Sequence, residues 1–247
     1  MDIRHCAHSD LGQSRSVNED SFLVDQRQGL YVVSDGMGGH GNGEIASQIA
    51  VTALARYLES HPAVEIGSKA AQDRLRRAVE VANERVLAEV EKDSELSGMG
   101  ATVVAIQLDG AKGLIAYVGD SRVYRFRNGT LEQLTEDHTW VHEQVSAGLL
   151  SEDDAKMHPF RSVVTRAVGG GQEVSVDIIP LEVEAGDRLL LCSDGLNAVL
   201  SDDEIKLRIQ RRESLEAICQ ELIDAANAGG GPDNITVVLL EAPEDQP

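Results

Sequence analysis

Three apolar segments of this chain end in an aspartate beside a glycine, an arrangement that constrains the fold and the chemistry together. The segments are 32–36 (VVSDG), 116–120 (AYVGD) and 190–195 (LLCSDG). A fourth aspartate, Asp233, precedes a final apolar run that starts at Ile235. Runs rich in Val, Ile and Leu and bounded by Gly, Asp or Asn are typical of buried β-strands. Such strands can bring their terminal carboxylates together at one edge of the sheets.

The remaining pattern consists of further strand-like runs and longer helical patterns. Strands are predicted at 30–33, 101–108, 114–118, 123–126, 174–179, 188–192 and 235–240. Helices are predicted at 44–59, 75–90, 202–209 and 214–226, with Ser201 and Ser214 as N-caps. Because the strands cluster without strict βαβ alternation, we predict an α+β fold with antiparallel sheets between helix layers. A doubly wound parallel sheet is the alternative.

The composition excludes several classes of partner. The formal net charge of −20 opposes binding to nucleic acid and to anionic lipid, and only 3% of residues are aromatic. The cysteines Cys6, Cys192 and Cys219 match no zinc or redox motif, so we expect reduced core thiols. We expect no signal peptide, no membrane span and a cytoplasmic monomer. One domain is predicted at 1–241, followed by a polar tail at 242–247.

Converging carboxylates repel one another unless a cation neutralises them. Each Asp-Gly pair could instead mark an ordinary turn, but four aspartates in this setting favour a metal centre. Oxygen ligands without a His–Cys cluster predict Mg²⁺, Mn²⁺ or Ca²⁺. The stretch 36–43 (GMGGHGNG) lacks the ending of a phosphate-binding P-loop, and a tight turn around a metal-bound aspartate explains it better.

An upstream segment combines one arginine with two adjacent carboxylates. Arg15 is followed by Glu19 and Asp20 in the segment 15–20 (RSVNED). This could be a solvated charged loop. Alternatively, the guanidinium could grip a phosphate in bidentate fashion while the carboxylates hold metal or its waters.

Five short motifs follow one another in a characteristic order: 15–20 (RSVNED), 35–39 (DGMGG), 119–122 (GDSR), 193–195 (SDG) and 233–236 (DNIT). In this order they resemble the metal-dependent protein phosphatases, the PPM family, also called protein phosphatase type 2C. The resemblance extends over nearly the whole chain and is closest to the compact bacterial form. It implies a four-layer α-β-β-α sandwich of two antiparallel sheets flanked by helices.

The resemblance also implies a core site for two Mn²⁺ or Mg²⁺ ions. Asp35 corresponds to the aspartate that bridges both ions, and Gly36 to the residue that contributes its carbonyl oxygen. Asp194 and Asp233 correspond to further core-metal ligands. Asp35 and Asp194 are therefore candidate catalytic residues.

Other residues are implied to act around this core. Asp120, together with Asp194, corresponds to the ligands of a third metal. Glu19 and Asp20 correspond to an acidic pair that binds metal directly or through water. Arg15 corresponds to the arginine that grips the substrate phosphate, and it completes the catalytic set.

The chain departs from the family pattern at two positions. Met37 stands where some members carry a histidine proposed as general acid, and the nearby His40 is a possible substitute or a plain turn residue. Pro232 replaces an arginine that often precedes the last aspartate, which stiffens the turn before Asp233.

The segment 146–171 falls where the family has a mobile flap beside the active site. It contains the flap candidates His158, Gly169 and Gly170, and its glycines would permit hinge motion. A surface loop with a short helix at 151–157 is also compatible with the pattern. The segment 135–138 (TEDH) resembles a family segment too, and we expect it to shape structure rather than to catalyse.

The resemblance implies a protein serine/threonine phosphatase that hydrolyses phosphoserine and phosphothreonine with metal-activated water and without a covalent intermediate. Its partners would be phosphorylated proteins and a cognate bacterial Ser/Thr kinase. Two alternatives remain open at this point. One is a pseudo-enzyme that binds phosphoproteins, although no metal aspartate is lost. The other is a metallohydrolase for small phosphate esters.

Overall fold

Two antiparallel β-sheets pack against each other in the structure, a computed structural model that describes residues 2–243 apart from the side chain of His40. Within these residues the strands are β1 (Arg4–Asp10), β2 (Asp20–Asp25), β3 (Leu30–Met37), β4 (Gly100–Ala101), β5 (Val103–Asp109), β6 (Lys112–Val118), β7 (Arg122–Arg127), β8 (Thr130–Gln133), β9 (Asp177–Glu182), β10 (Arg188–Cys192) and β11 (Ile235–Glu241). The first sheet has the order β1-β11-β10-β7-β8. The second has the order β2-β3-β5-β6-β9, with β4 paired to β3.

Helices cover the outer face of each sheet. The helices within residues 2–243 are α1 (Asn42–Ser60), α2 (Lys69–Lys92), α3 (Trp140–Ser146), α4 (Glu152–Met157), α5 (Asp194–Asn197), α6 (Asp202–Ile209) and α7 (Leu215–Ala228), with short 3₁₀ turns at Gly39–Gly41 and Ser94–Leu96. Helices α1 and α2 pack on the second sheet, and α5, α6 and α7 pack on the first. The predicted four-layer α-β-β-α sandwich is confirmed, and the parallel alternative is wrong.

The central strands are buried on both faces, which explains their unbroken apolar runs. Leu30 and Val32 of β3 pack against α1 and α2. Tyr31 and Val33, which alternate with them, pack between the two sheets. A half-solvated strand would show polar residues at every second position. The layer order therefore follows directly from the apolar runs.

Several element boundaries differ from the sequence-based prediction. The strand predicted at 174–179 lies three residues later, at Asp177–Glu182. Strands β1, β2 and β8 were not predicted, because their residues are largely polar or half-exposed. The predicted caps are confirmed, since the hydroxyls of Ser201 and Ser214 accept hydrogen bonds from backbone N–H groups in the first turns of α6 and α7.

Packing continues slightly beyond the predicted domain end at residue 241. Ala242 is buried, and its backbone N–H donates to the Asp187 carbonyl at 2.9 Å. Its own carbonyl accepts from Gly186 N at 2.9 Å. The predicted polar tail therefore cannot begin at Ala242, and its last residues, 244–247, lie outside the described part. No helix within residues 2–243 has the length and apolar character needed to cross a membrane.

Candidate metal centre

The second sheet brings two aspartates together near the end of β3. Asp35 lies in β3, and Asp20, the first residue of β2, is its direct partner in the antiparallel register. Directly opposed residues have Cβ atoms about 5 Å apart and project to the same face of the sheet. The two carboxylates therefore occupy one side of the sheet edge.

The first sheet contributes two more aspartates at its own edge. Strand β10 ends at Cys192, opposite Val237 near the start of β11. The segment after β10 and the segment before β11 therefore leave the sheet at the same edge. Asp194 begins α5 there, and Asp233 stands two residues before β11.

Ser193 joins the aspartates of the two sheets. Its buried hydroxyl donates to Asp20 Oδ2 at 2.7 Å and accepts from Thr236 N at 2.9 Å. A buried hydroxyl with both roles filled has a fixed orientation. The segment after β10 is thereby held against the start of β2. The sequence indicated no such role for Ser193.

Asp120 is brought to the centre through the buried side chain of Thr102. The Thr102 hydroxyl accepts from Asp35 N at 2.9 Å and hydrogen-bonds Ser121 Oγ at 2.7 Å. Ser121 directly follows Asp120, which is only 7% exposed. The loop after β6 is therefore tied to the metal-site end of β3.

Burial and mutual repulsion raise the pKa values of these carboxyl groups. Burial is the largest cause, and it raises the pKa of Asp194 to about 6 and the pKa values of Asp20 and Asp120 to about 7. The pKa of Asp35 is raised well above its ordinary value by burial and then by the charges of neighbouring aspartates, with Asp20 first. The protein alone does not compensate the charge that these side chains carry when ionised.

The donor set fits divalent cations. Asp20 Oδ1 and Asp194 Oδ1 are buried and have no hydrogen-bond partner among the described residues. An unpaired buried carboxylate oxygen is costly unless a cation binds it. Carboxylate and backbone oxygens are the preferred ligands of Mg²⁺ and Mn²⁺.

Gly36 is required by close approach of the backbone rather than by a turn. A Cβ atom at this position would lie 2.0 Å from the Gly43 carbonyl oxygen and 2.6 Å from the Glu19 carbonyl oxygen. The absence of a side chain lets the start of α1 pack against the end of β3. Gly43 N donates to Glu19 Oε1 at 3.0 Å, so this packing also positions the Glu19 carboxylate.

Arg15 lies at the rim of the centre. Its Nη2 donates to Asp233 Oδ2 at 2.7 Å, and its Nη1 lies 4.0 Å from Glu19 Oε2. The side chain is 46% exposed, so its guanidinium remains accessible from solvent. The predicted metal and phosphate residues therefore lie together: Arg15, Glu19, Asp20, Asp35, Gly36, Asp120, Asp194 and Asp233.

Asn234 holds the loop that carries Arg15. Its Oδ1 accepts from Glu19 N at 2.8 Å, and its Nδ2 donates to the carbonyls of Leu11 and Val17 at 2.9 and 3.0 Å. The residue is buried. Its side chain thus fixes both ends of a loop more than 200 positions away in the chain. The sequence motif contained Asn234 but gave no indication of this role.

The segment 135–138 has the structural role that we expected. Asp137 accepts two hydrogen bonds from the Arg122 guanidinium, at 2.8 and 2.6 Å. His138 Nδ1 accepts from Gly119 N at 3.1 Å, and its Nε2 lies 2.9 Å from Asp177 Oδ2. These contacts position the loop that carries Asp120.

The contacts of His158 and Gly169 are with residues other than the metal-site carboxylates. His158 stacks on Trp140, with ring centroids 4.9 Å apart. Gly169 N donates to Asn83 Oδ1 at 2.7 Å, which fastens the end of the segment to α2. Gly170 follows directly. Their hinge role stays a prediction.

The general acid also stays a prediction. Met37 ends β3 and is half-buried. The side chain of His40, the alternative candidate, lies outside the described residues. Pro232 is exposed, and Asp233 keeps its place beside Arg15.

Residues 11–238 match the family model described as "Protein phosphatase 2C". The chain is 41% identical over 239 residues to "Serine/threonine protein phosphatase PstP" of Mycobacterium tuberculosis, an alignment that covers 97% of this chain and 45% of that protein. The chain thus spans about half the length of PstP. It is 38% identical over 236 residues to "Serine/threonine phosphatase stp" of Listeria welshimeri, covering 94% of this chain and 93% of that one.

Solved structures are similar over nearly the whole chain. The crystal structure of M. tuberculosis PstP superposes with a TM-score of 0.90 at 39% identity, covering 98% of this chain and 99% of that one. The PstP catalytic domain in complex with two manganese ions gives a TM-score of 0.87 at 37% identity, over 98% of this chain and 99% of that one. A Streptococcus agalactiae serine/threonine phosphatase gives 0.91 at 34% identity, over 97% of this chain and 99% of that one.

Proposed function

The chain belongs to the protein phosphatase 2C family, and from this premise we propose that it is a metal-dependent protein serine/threonine phosphatase. One observation carries the proposal. Carboxylates from both sheets meet at one edge, and Asp20 and Asp194 each have a buried oxygen without a partner among the described residues. This is the arrangement that a hydrolase with divalent cations needs, and two curated relatives carry serine/threonine phosphatase names.

The core ligands would be the Asp35, Asp194 and Asp233 carboxylates and the Gly36 carbonyl, as the family resemblance implied. Two bound divalent cations would act as Lewis acids, neutralise negative charge on the phosphoryl group and lower the pKa of a water molecule. Glu19 and Asp20 would support this core, directly or through water. Asp120 would hold a third cation together with Asp194.

Arg15 would bind the substrate phosphate. Its planar guanidinium presents parallel N–H donors that match two phosphoryl oxygens. One of its nitrogens already donates to Asp233, which fixes the direction of the side chain at the rim. The other N–H groups of this half-exposed guanidinium can bind a phosphate that enters from solvent. Negative charge that develops on the phosphoryl oxygens would be stabilised by this preorganised cation.

The substrates would be proteins phosphorylated on serine or threonine, and a cognate Ser/Thr kinase would supply them. We propose a monomer that works in the cytoplasm. The exposed rim around Arg15 is compatible with a phosphorylated side chain on a folded protein, since access does not require a deep pocket.

The test is hydrolysis of a phosphothreonine peptide by the purified protein. We expect turnover with Mn²⁺, loss of turnover with EDTA, and a decrease of at least about 100-fold in Asp194→Asn, because several kcal/mol of transition-state stabilisation disappear. Asp203→Asn, a matched change on the exposed side of α6, should leave the rate unchanged.

Three results would contradict the proposal. Phosphopeptide hydrolysis that survives both EDTA and Asp194→Asn would exclude the metal centre as the catalyst. Tight Mn²⁺ binding without turnover of any phosphopeptide would indicate a binding module instead. A strong preference for nucleotides over phosphopeptides would indicate a hydrolase of small phosphate esters.

A further inference from the structure

Three side chains with metal-binding atoms meet on the outer face of the first sheet, away from the carboxylate centre. Cys6 and His8 belong to β1, and Glu216 belongs to the first turn of α7. The Cys6 sulfur, a ring nitrogen of His8 and a carboxylate oxygen of Glu216 all lie within 4.8 Å of one another. His8 Nε2 and Glu216 Oε1 are 2.9 Å apart.

The topology explains why these side chains meet. Residues two apart in a strand project to the same face, so Cys6 and His8 both face the helix layer. Helix α7 packs on that face and presents Glu216 there. Cys219, one turn further along α7, belongs to the same buried cluster as Cys6.

We propose that Cys6, His8 and Glu216 form a second cation site, selective for a thiophilic divalent ion of the Zn²⁺ type. Sulfur, imidazole nitrogen and carboxylate oxygen are the ligands that Zn²⁺ takes in tetrahedral protein sites. Mg²⁺ and Mn²⁺ prefer oxygen ligands alone, so the two sites select different ions.

The charge and the exposure of the cluster support this assignment. Binding of the cation releases the Cys6 thiol proton to solvent, and the resulting thiolate and the Glu216 carboxylate balance the two charges of the cation, so the loaded site carries no net charge. Cys6 is 3% exposed, whereas the Glu216 side chain is 73% exposed. The soft ligand therefore lies inside, and the carboxylate borders the solvent from which an ion would enter.

The site is separate from the proposed catalytic centre. Cys6 is the register partner of Leu239, whereas Ser193, which holds Asp20, contacts Thr236 near the start of β11. Three residues of extended strand correspond to roughly 10 Å. A cation at Cys6 would join β1 to α7, an edge strand to the helix that covers it, and would stabilise this part of the fold.

The test uses Co²⁺ as a spectroscopic substitute for Zn²⁺. The full chain, kept reduced and saturated with Mg²⁺ to occupy oxygen-only sites, is titrated with Co²⁺. We expect a thiolate-to-cobalt charge-transfer band that saturates at one equivalent and disappears when Zn²⁺ is added. An oxygen-only centre cannot produce this band. Phosphatase activity plays no part in the readout.

The variants assign the ligands. Cys6→Ser should abolish the band, and His8→Ala should weaken Zn²⁺ binding at least about 10-fold. His5→Ala is the matched control, because His5 lies on the same strand but its ring contacts Gln26 and Tyr31 instead. It should leave the band and the affinity unchanged.

If Cys6→Ser fails to fold, His8→Ala and the change at exposed Glu216, Glu216→Gln, carry the test. Zn²⁺ should raise the Tm of the wild type and of His5→Ala, and should do so less in both variants. Absence of a band in the wild type overturns the proposal. So does a band of full intensity in Cys6→Ser, or unchanged Zn²⁺ affinity in both His8→Ala and Glu216→Gln.

Discussion

Asn234 is the residue on which the position of the Arg15 loop depends. It is buried and makes three hydrogen bonds to backbone groups of the segment 11–19. The Glu19 N–H is buried and the carbonyl bonds of Leu11 and Val17 are partly buried, so all three groups lose their partner without Asn234. A side chain that satisfies several buried backbone groups at once is hard to replace.

Asn234→Ala should therefore lower both stability and substrate binding. We expect a loss of about 2–4 kcal/mol in the free energy of unfolding, since three hydrogen bonds disappear and the buried Glu19 N–H remains unpaired. KM should rise more than kcat falls, because the loop that presents Arg15 loosens. Urea denaturation and steady-state kinetics measure the two effects.

The control is Asn128→Gly, at an exposed left-handed turn, which should change the free energy of unfolding by less than about 0.5 kcal/mol. Equal effects of both changes would contradict this role.

Asp120 is expected to serve the third cation rather than the core pair. Its loop is tied to the centre through the hydroxyls of Ser121 and Thr102. Asp120→Asn should lower kcat about 10- to 100-fold while the binding of two Mn²⁺ ions persists. Isothermal titration with Mn²⁺ and kinetics at saturating Mn²⁺ separate the two quantities. Asp109→Asn, an exposed change of the same chemistry, is the control. Loss of the two core ions in Asp120→Asn would contradict the assignment.

At the scale of elements, the flap segment is fastened at its C-terminal end. Val168 and Ala101 exchange two backbone hydrogen bonds, at 2.8 and 2.9 Å, and Gly169 adds the bond to Asn83 on α2. Gly169 has a φ of 83°, and a Cβ there would lie 2.6 Å from Val86 Cγ1. The next glycine, Gly170, has no positive φ, and its nearest neighbour would be 3.1 Å away.

These two adjacent glycines offer a matched pair of substitutions. Gly169→Ala should lower the free energy of unfolding by about 2–3 kcal/mol, because a left-handed backbone and a clash with α2 act together. Gly170→Ala should lower the free energy of unfolding by less than about 1 kcal/mol, because the Ala167 carbonyl oxygen, 3.1 Å from the added Cβ, needs to move only slightly. Denaturant unfolding gives the energies, and limited proteolysis within 146–171 reports release of the segment. If both changes were equally tolerated, the segment would not be held at Gly169.

At the scale of the whole molecule, the sequence predicted the strands whose apolar residues are buried. It did not predict the strands and contacts that depend on pairing with residues far away in the chain. Strands β3, β5, β6, β10 and β11 were found because both of their faces are apolar. Strand β1 was not found, since its polar residues gain a strand conformation by pairing with β11, more than 200 positions away. Likewise, the glycines marked the metal-site aspartates, whereas Ser193 and Asn234 acquired their roles only through contacts across the fold.

The concentration of carboxyl groups at one end also sets how the stability of the whole protein responds to pH. The folded state raises the pKa values of Asp20, Asp35, Asp120 and Asp194 above the ordinary value of about 3.9. A group whose pKa is raised by folding binds its proton more tightly in the folded state. Its contribution to stability is thus complete below about pH 4 and is lost as the pH rises through the folded-state pKa. Divalent cations compete with these protons for the same oxygens.

The metal-free protein should therefore melt at a lower temperature at pH 8 than at pH 5.5. Between these pH values the groups whose pKa values in the folded state are about 6 and about 7 lose their protons, and the stability that the bound protons contributed is lost. Saturating Mn²⁺ should raise Tm more at pH 8 than at pH 5.5, because at the lower pH more of the ligands still hold protons. Thermal scans by circular dichroism, with EDTA or with Mn²⁺, measure both trends. Asp120→Asn removes one of the titrating groups and should flatten the EDTA curve, whereas Asp109→Asn should not. A Tm in EDTA that stays constant or rises between these pH values would show that the carboxylates do not repel one another in the folded protein.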